Sequence, residues 1–341
     1  MKYIIDSEVQ EEIDEIIPLI RVGNDSEIIL CCPSYVKKEN FKECTVHSYN
    51  YSKNRFINKI KQLLVLFYLV VVYKPDVVFS GYPLLKHRLV NILSLGRVCH
   101  FSYIRGLFAD SKNYRGFSDL LYVRLRKHPS LMKINNFQCD KIYTVSKLNV
   151  DFLYARDVHP NVIDLIPPPW LQKIKNKRHA EREYEVHRGS IYFVSQAFSS
   201  HSSHDAAESQ LQFAVKLRES LAVSGLELII RKHPRDNTDY TCLGFKVNCM
   251  SSYDFIERLN INDVLISPFS TMAFEAAYCG VKTLFYSTVE LDRIYSRVYE
   301  KLSLHPFYSA NDIVNEIISI QKNPTHNASF NNVFYDTLGK V

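Results

Sequence analysis

Short apolar runs alternate along this chain with longer segments whose apolar positions recur every three or four residues. That is the pattern of an α/β chain built on parallel sheets. In the first half, Tyr3–Ile5, Glu27–Cys31, Val77–Phe79, His100–Ile104, Lys141–Val145 and Val162–Ile166 predict strands. Helices are expected over Gln10–Ile20, Phe56–Val72, Phe117–Arg126 and Leu148–Arg156. Residues 171–189 carry many charges and few apolar side chains, and predict a solvated linker. The rhythm then restarts with Ile191–Val194, Leu226–Ile230, Asp263–Ile266 and Lys282–Tyr286. Asp205 with Glu208 resembles a capping box opening a helix to about Ala222, with Leu211, Ala214, Val215, Leu217 and Leu221 on one face. Ile313, Val314, Ile317 and Ile318 mark a late amphipathic helix. Two facing, doubly wound Rossmann-like domains are therefore expected, 1–170 and 190–341, with the last helix able to pack back on the first.

Composition narrows the chemistry. The chain has 341 residues, enough for two domains that each bury a core. Only 10 are glycine, and no two stand closer than ten positions (Gly96, Gly106 and Gly116 are the tightest set). That spacing excludes G-x-G-x-x-G and the Walker-type P-loop. H-E-x-x-H and G-x-S-x-G are absent too. The net charge of +6 suits an anionic substrate or membrane face but is too diffuse to indicate nucleic acid. Eight cysteines without a C-x-x-C pair read as reduced residues of a cytoplasmic protein, mostly buried. The start, Met1-Lys2-Tyr3-Ile4-Ile5-Asp6, reads as a first strand and not a signal peptide. Leu63–Tyr73 is uncharged but too short to span a bilayer. A helix buried between sheet and neighbour is expected there, with a peripheral contact at the inner membrane as the alternative.

Two segments carry candidate chemistry. The strand Leu226–Ile230 runs into Arg231-Lys232-His233-Pro234-Arg235, placing cations and an imidazole beyond a strand's carboxyl end, where open α/β sheets bind ligands. Pro234 sets the turn, His233 can give a proton to a departing phosphate oxygen, and Lys232 and Arg235 can stabilise the anion. Lys127-His128-Pro129 and His159-Pro160 repeat parts of this string without a strong preceding strand. In the second segment, Asp263–Ile266 leads through Ser267-Pro268-Phe269-Ser270-Thr271 into an apolar helix that stops at Gly280. The helix N-terminus and the hydroxyls of Ser270 and Thr271 make a phosphate site, unless Ser270 is only a cap. Glu275 is the one charge in that helix, about one and a half turns on. It is placed either to hold ribose hydroxyls or to face solvent.

Together the two segments resemble the His-Pro and Ser-Ser/Thr motifs of bacterial sialyltransferases of the GT-B fold, the lipooligosaccharide sialyltransferase and polysialyltransferase families. Tyr192-Phe193-Val194-Ser195-Gln196 is similar to the opening of their C-terminal domain. The likeness is good over residues 190–290 and only architectural over 1–170. It implies a GT-B fold and an inverting transferase moving sialic acid, or a related ulosonic acid, from a CMP-linked donor. The implied acceptor is a surface glycan or lipid-linked oligosaccharide. His233 would assist departure of CMP, and Ser270 and Thr271 would hold its phosphate. The family's acidic loop falls at Arg105–Tyr114, where Asp110 is the only carboxylate and hence the implied base. With no D-x-D pair near these loops, no metal or other cofactor is expected. The alternatives are another GT-B transferase, such as a CDP-glycerol-type polyol-phosphate transferase, or a non-catalytic glycan- or nucleotide-binding relative.

Overall fold

Runs of branched and aromatic residues become the strands of two parallel sheets. The structure, a computed structural model, describes residues 1–8, 10–21, 26–36, 41–50, 55–81, 84–106, 139–154, 158–180, 189–198 and 203–322. These fall into two units, the first ending at Pro168 and the second beginning at Pro169. The first holds β1 (Lys2–Asp6), β2 (Glu27–Pro33), β3 (Thr45–Tyr49), β4 (Val77–Ser80), β5 (Cys99–Ile104), β6 (Lys141–Thr144) and β7 (Ile163–Leu165). They lie in the order β3-β2-β1-β4-β5-β6-β7, with Ile4 in register with Ile29 and Val78. The second unit holds β8 (Ile191–Val194), β9 (Leu228–Arg231), β10 (Lys246–Asn248), β11 (Val264–Ser267) and β12 (Lys282–Phe285), in the order β10-β9-β8-β11-β12. Every pairing is parallel, as two doubly wound Rossmann-like domains require. The strand order reverses between β1 and β4 in one sheet and between β8 and β11 in the other. Beyond the carboxyl ends of those strands lie the crevices where such sheets take ligands.

In the first unit the described helices are α1 (Gln10–Arg21), α2 (Arg55–Tyr73), α3 (Leu85–Leu93) and α4 (Lys147–Tyr154). Leu66, Leu69 and Val70 of α2 and Val90 of α3 close over Ile4, Ile29, Cys31 and Val78 of the sheet. The expected burial of Leu63–Tyr73 is corrected: Leu64, Phe67, Tyr68, Val71 and Val72 are exposed. Only one side of the helix meets the sheet. Strand β3 escaped the sequence pattern because Thr45-Val46-His47-Ser48-Tyr49 is half polar and lies at the sheet edge.

In the second unit, α5 (Pro169–Ala180), α6 (His204–Val223), α7 (Ser252–Arg258), α8 (Thr271–Tyr278), α9 (Val289–Lys301) and α10 (Ala310–Lys322) surround the sheet. The described part of the expected linker is mostly helix α5. Trp170 stacks on Tyr253 with ring centroids 3.7 Å apart, and Gln172 accepts a 2.5 Å hydrogen bond from Tyr278. The late helix α10 packs on α6 in its own unit, with Ile313, Ile317 and Ile320 in the core beside Phe213 and Leu217. The capping box is also corrected, because Ser203 is the N-cap of α6 and makes no side-chain capping bond. Cys31, Cys32, Cys139 and Cys279 are buried, whereas Cys99, Cys242 and Cys249 are exposed. Asp110, His128 and the expected helix Phe117–Arg126 lie outside the described residues.

Candidate functional site

Strand β9 delivers the His-Pro loop to the carboxyl edge of the second sheet. The Asp236 N–H donates to the His233 carbonyl at 2.9 Å, closing a β-turn with Pro234 at its second position, where its fixed φ belongs. The His233 N–H donates to Ser195 Oγ at 3.0 Å, which ties the turn to the end of β8. The Arg235 N–H donates to His233 Nδ1 at 3.1 Å. An imidazole that accepts at Nδ1 carries its proton on Nε2 when neutral, so the ring offers an Nε2–H donor. His233 and Lys232 are half-buried, and Pro234 and Arg235 are exposed. Arg231 is buried with its guanidinium 5.4 Å from the Phe255 ring centroid and donates to the Lys232 carbonyl. The cations that can reach a ligand here are therefore Lys232 and Arg235.

A polar network under the turn holds it in place. Tyr240 donates to Asp236 Oδ2 at 3.0 Å, and Asp236 Oδ1 accepts from the Thr238 N–H at 3.1 Å. Gln210 of α6 accepts from the Gln196 N–H at 2.8 Å, then donates to the Gln196 carbonyl at 3.1 Å and to Tyr240 at 3.3 Å. Burial and the Asp236 carboxylate push the Tyr240 phenol above its usual range, which keeps it a donor. Gln210, Asp236 and Tyr240 were not singled out from the sequence, and Ser195 only as a member of the string Tyr192-Phe193-Val194-Ser195-Gln196. One signal was available: Gln210 stands on the apolar face of its helix, four residues before Ala214.

The second segment arrives two strands across, after β11, with β8 between. Ser270 is the N-cap of α8, with extended backbone at φ −143°, yet its side chain makes no capping bond. The reading of Ser270 as only a cap is thereby weakened, because its hydroxyl is not used for that purpose. Glu275 is 1% exposed, which removes the solvent-facing alternative. Ser267 Oγ, at the end of β11, and Gln196 Nε2, just beyond β8, are buried and have no hydrogen-bond partner among the described residues. A buried polar atom left unmatched costs about 1–3 kcal/mol. Both atoms stand beside the crevice between β8 and β11, where a ligand or water would satisfy them. Among the described residues, no three His, Cys, Asp or Glu side chains gather as a metal site. His159 does something different from His233, accepting from the Asn161 N–H at 3.3 Å as the cap of a short 3₁₀ turn.

The corresponding edge of the first sheet carries a denser ionisable cluster, which no motif in the sequence marks. Lys86 Nζ and His87 Nε2 each lie 2.7 Å from Asp6 Oδ2. Burial alone would raise the Asp6 carboxyl, but Lys86 and His87 outweigh it and hold the pKa below the usual range. Burial lowers His87, whose Nδ1 accepts from the Leu84 N–H at 3.0 Å, so its Nε2–H donates to Asp6 as a neutral ring. His100 stacks on His87 with centroids 4.8 Å apart, and burial depresses it to about 3. Glu15 accepts from Tyr103 and lies 3.4 Å from Arg105 Nε. Glu12 goes the other way. Burial raises its carboxyl to about 7 despite a 2.5 Å bond from Ser7 Oγ and the nearby Arg105. A carboxyl that titrates near neutrality can both take and give a proton.

No known protein family matches the sequence, and no curated protein does. Solved structures do match. A UDP-GlcNAc 2-epimerase from Methanocaldococcus jannaschii, in complex with UDP-GlcNAc and UDP, is 14% identical with a TM-score of 0.64, over 98% of this chain and 96% of that one. The UDP-GlcNAc 2-epimerase of Neisseria meningitidis bound to UDP-GlcNAc gives 12% and 0.62, over 98% and 96%. Anabaena HepE in complex with UDP gives 10% and 0.55, over 96% and 92%. At these identities the likeness is one of fold, and it spans both domains.

The expected kinship with sialyltransferases is corrected by these neighbours, two of them UDP-GlcNAc 2-epimerases and the third a protein in complex with UDP. The readings built on that kinship fall with it: a CMP-sialic acid donor, an inverting glycosyltransferase, and a surface glycan acceptor. The physical reason lies in what the two motifs encode. A cationic His-Pro turn and a hydroxyl-led helix at the edge of a parallel sheet have the chemistry to suit any phosphate. They distinguish neither cytidine from uridine nor transfer from isomerisation.

Proposed function

We propose that this chain binds a uridine diphosphate sugar at the carboxyl edge of its second sheet and isomerises the sugar without passing it to an acceptor. What supports the reading is the placement of the His233 loop after β9 and the Ser270 loop after β11, at the carboxyl ends of strands that flank β8, within a fold shared with UDP-GlcNAc 2-epimerases over 98% of the chain. The Nε2–H of His233 and the Ser270 and Thr271 hydroxyls at the start of α8 donate to the diphosphate, with Lys232 and Arg235 supplying charge. Glu275, below them in α8, accepts from the ribose hydroxyls. Stabilising the diphosphate eases the C1–O cleavage that accompanies removal of the C2 proton: as both bonds break a C1=C2 double bond forms, and return of the diphosphate to C1 with a proton to the opposite face of C2 gives the epimer.

Two measurements test this. Calorimetric titration should show UDP binding at least ~10-fold more tightly than CMP, a gap of about 1.4 kcal/mol. UDP-GlcNAc in D₂O, followed by proton NMR, should lose its H-2 signal as the epimer forms, because inversion at that carbon exchanges its hydrogen with solvent. Preferential CMP binding, or UDP-GlcNAc recovered unchanged with H-2 intact, would overturn the proposal.

A further inference from the structure

Among the described residues, a long run of exposed apolar side chains lies on the outward sides of α2 and α3. On α2, Ile57, Ile60, Leu64, Phe67, Tyr68 and Val71 recur at helical spacing along the side opposite the sheet, and all are exposed. Leu89, Ile92, Leu93 and Leu95 continue the surface on and just beyond α3, with Leu95 at 81% exposure. The two helices pack against each other and share one core on the same face of the sheet, so their outward sides form a single surface. A continuous apolar surface on this scale is a contact site.

Charge identifies what it contacts. Neither α2 nor α3 contains an acidic residue. Between residues 55 and 98 stand seven Lys and Arg (55, 59, 61, 74, 86, 88 and 97) against the single acid Asp76, and an excess of five remains once Lys86, paired with Asp6, is set aside. Lys59, Lys61, Lys74 and Arg97 are exposed at the borders of the apolar surface. We propose that this face docks on an anionic phospholipid bilayer. The apolar stripe would enter the boundary between headgroups and acyl chains, Tyr68 would sit at headgroup level, and the lysines would reach back to the phosphates. No described helix is long and apolar enough to cross a membrane, so the contact is made along the surface. A second copy of the chain fits less well, because a two-fold contact sets a patch against itself and would bring these cations together.

Co-sedimentation of the full chain with lipid vesicles tests the proposal without any substrate, so it stands or falls independently of the nucleotide reading. Vesicles of phosphatidylglycerol and phosphatidylcholine should carry the protein down, and phosphatidylcholine alone should not. Binding should weaken as salt is raised. Leu64→Glu with Val71→Glu should abolish it. Lys59→Glu with Lys61→Glu should reduce it ~30-fold or more, from about 1 kcal/mol per cation at such a surface. All four side chains point outward, so both variants should keep the wild-type circular dichroism and melting temperature. Failure to bind anionic vesicles refutes the proposal. So does a wild-type dimer that ignores vesicles and that Leu64→Glu with Val71→Glu makes monomeric, which would assign the face to a second copy. Unchanged binding by the lysine variant overturns the electrostatic basis.

Discussion

Replacing Glu12 by Gln should change how the stability of this protein depends on pH, with a sign and size set by the packing around one carboxyl. The side chain is half-buried, but its carboxyl end sits against Ser7 and Gly81, and burial raises its pKa from 4.5 to about 7. Below about pH 4 the folded and unfolded chains both hold the proton, and above about 7 neither does. Between those limits only the folded chain holds it, so stability falls as pH rises through the window. At 1.36 kcal/mol per pKa unit, the loss reaches about 3 kcal/mol at most by pH 8. The neutral amide of the Glu12→Gln variant has no proton to lose. Urea unfolding of the two proteins at pH 4.5 and pH 8 should show the variant gaining on the wild type by about 2–3 kcal/mol at the higher pH. The Glu12 carboxyl should also titrate near 7 by carbon NMR. A stability difference that stays constant with pH to within about 0.5 kcal/mol would refute the buried-carboxyl argument.

Three further outcomes can be checked. A Cβ on Gly81 would stand 1.7 Å from Glu12 Oε2, the mobile end of a side chain. Gly81→Ala should therefore push that carboxyl aside, return its titration toward 4.5 and flatten the pH dependence, while unfolding stays cooperative. A Cβ on Gly189 would stand 1.8 Å from the Asn262 carbonyl oxygen, which is backbone and cannot swing away. Gly189→Ala should cost roughly 2–4 kcal/mol by urea unfolding, and a change under about 0.5 kcal/mol would show that the close approach is not needed. His233→Ala should weaken UDP binding ~10-fold or more in calorimetry, through loss of a charge-assisted hydrogen bond, while His159→Ala leaves it unchanged. Equal losses at both sites would remove the distinction drawn from their local structure.

The sequence alone determined the alternation of strands and helices, and therefore the two doubly wound domains. Residues that must be buried on both faces of a parallel strand, such as Ile28-Ile29-Leu30, can be little else. It also picked out the His233 and Ser270 loops, since each is a local string: strand, turn and helix start lie within a dozen residues. Tertiary structure decided what depended on distant partners. Gln210 matters because it meets Gln196 and Tyr240 across the fold, and Asp6 because Lys86 and His87 come to it from about eighty residues away. Glu12 titrates near neutrality only because Gly81, at the end of another strand, leaves room for its carboxyl. The reading of Leu63–Tyr73 failed for a related reason. An apolar run shows how much of a helix can be buried, but how many of its sides are covered is a property of the fold, and here one side meets the sheet and α3 while the other is exposed.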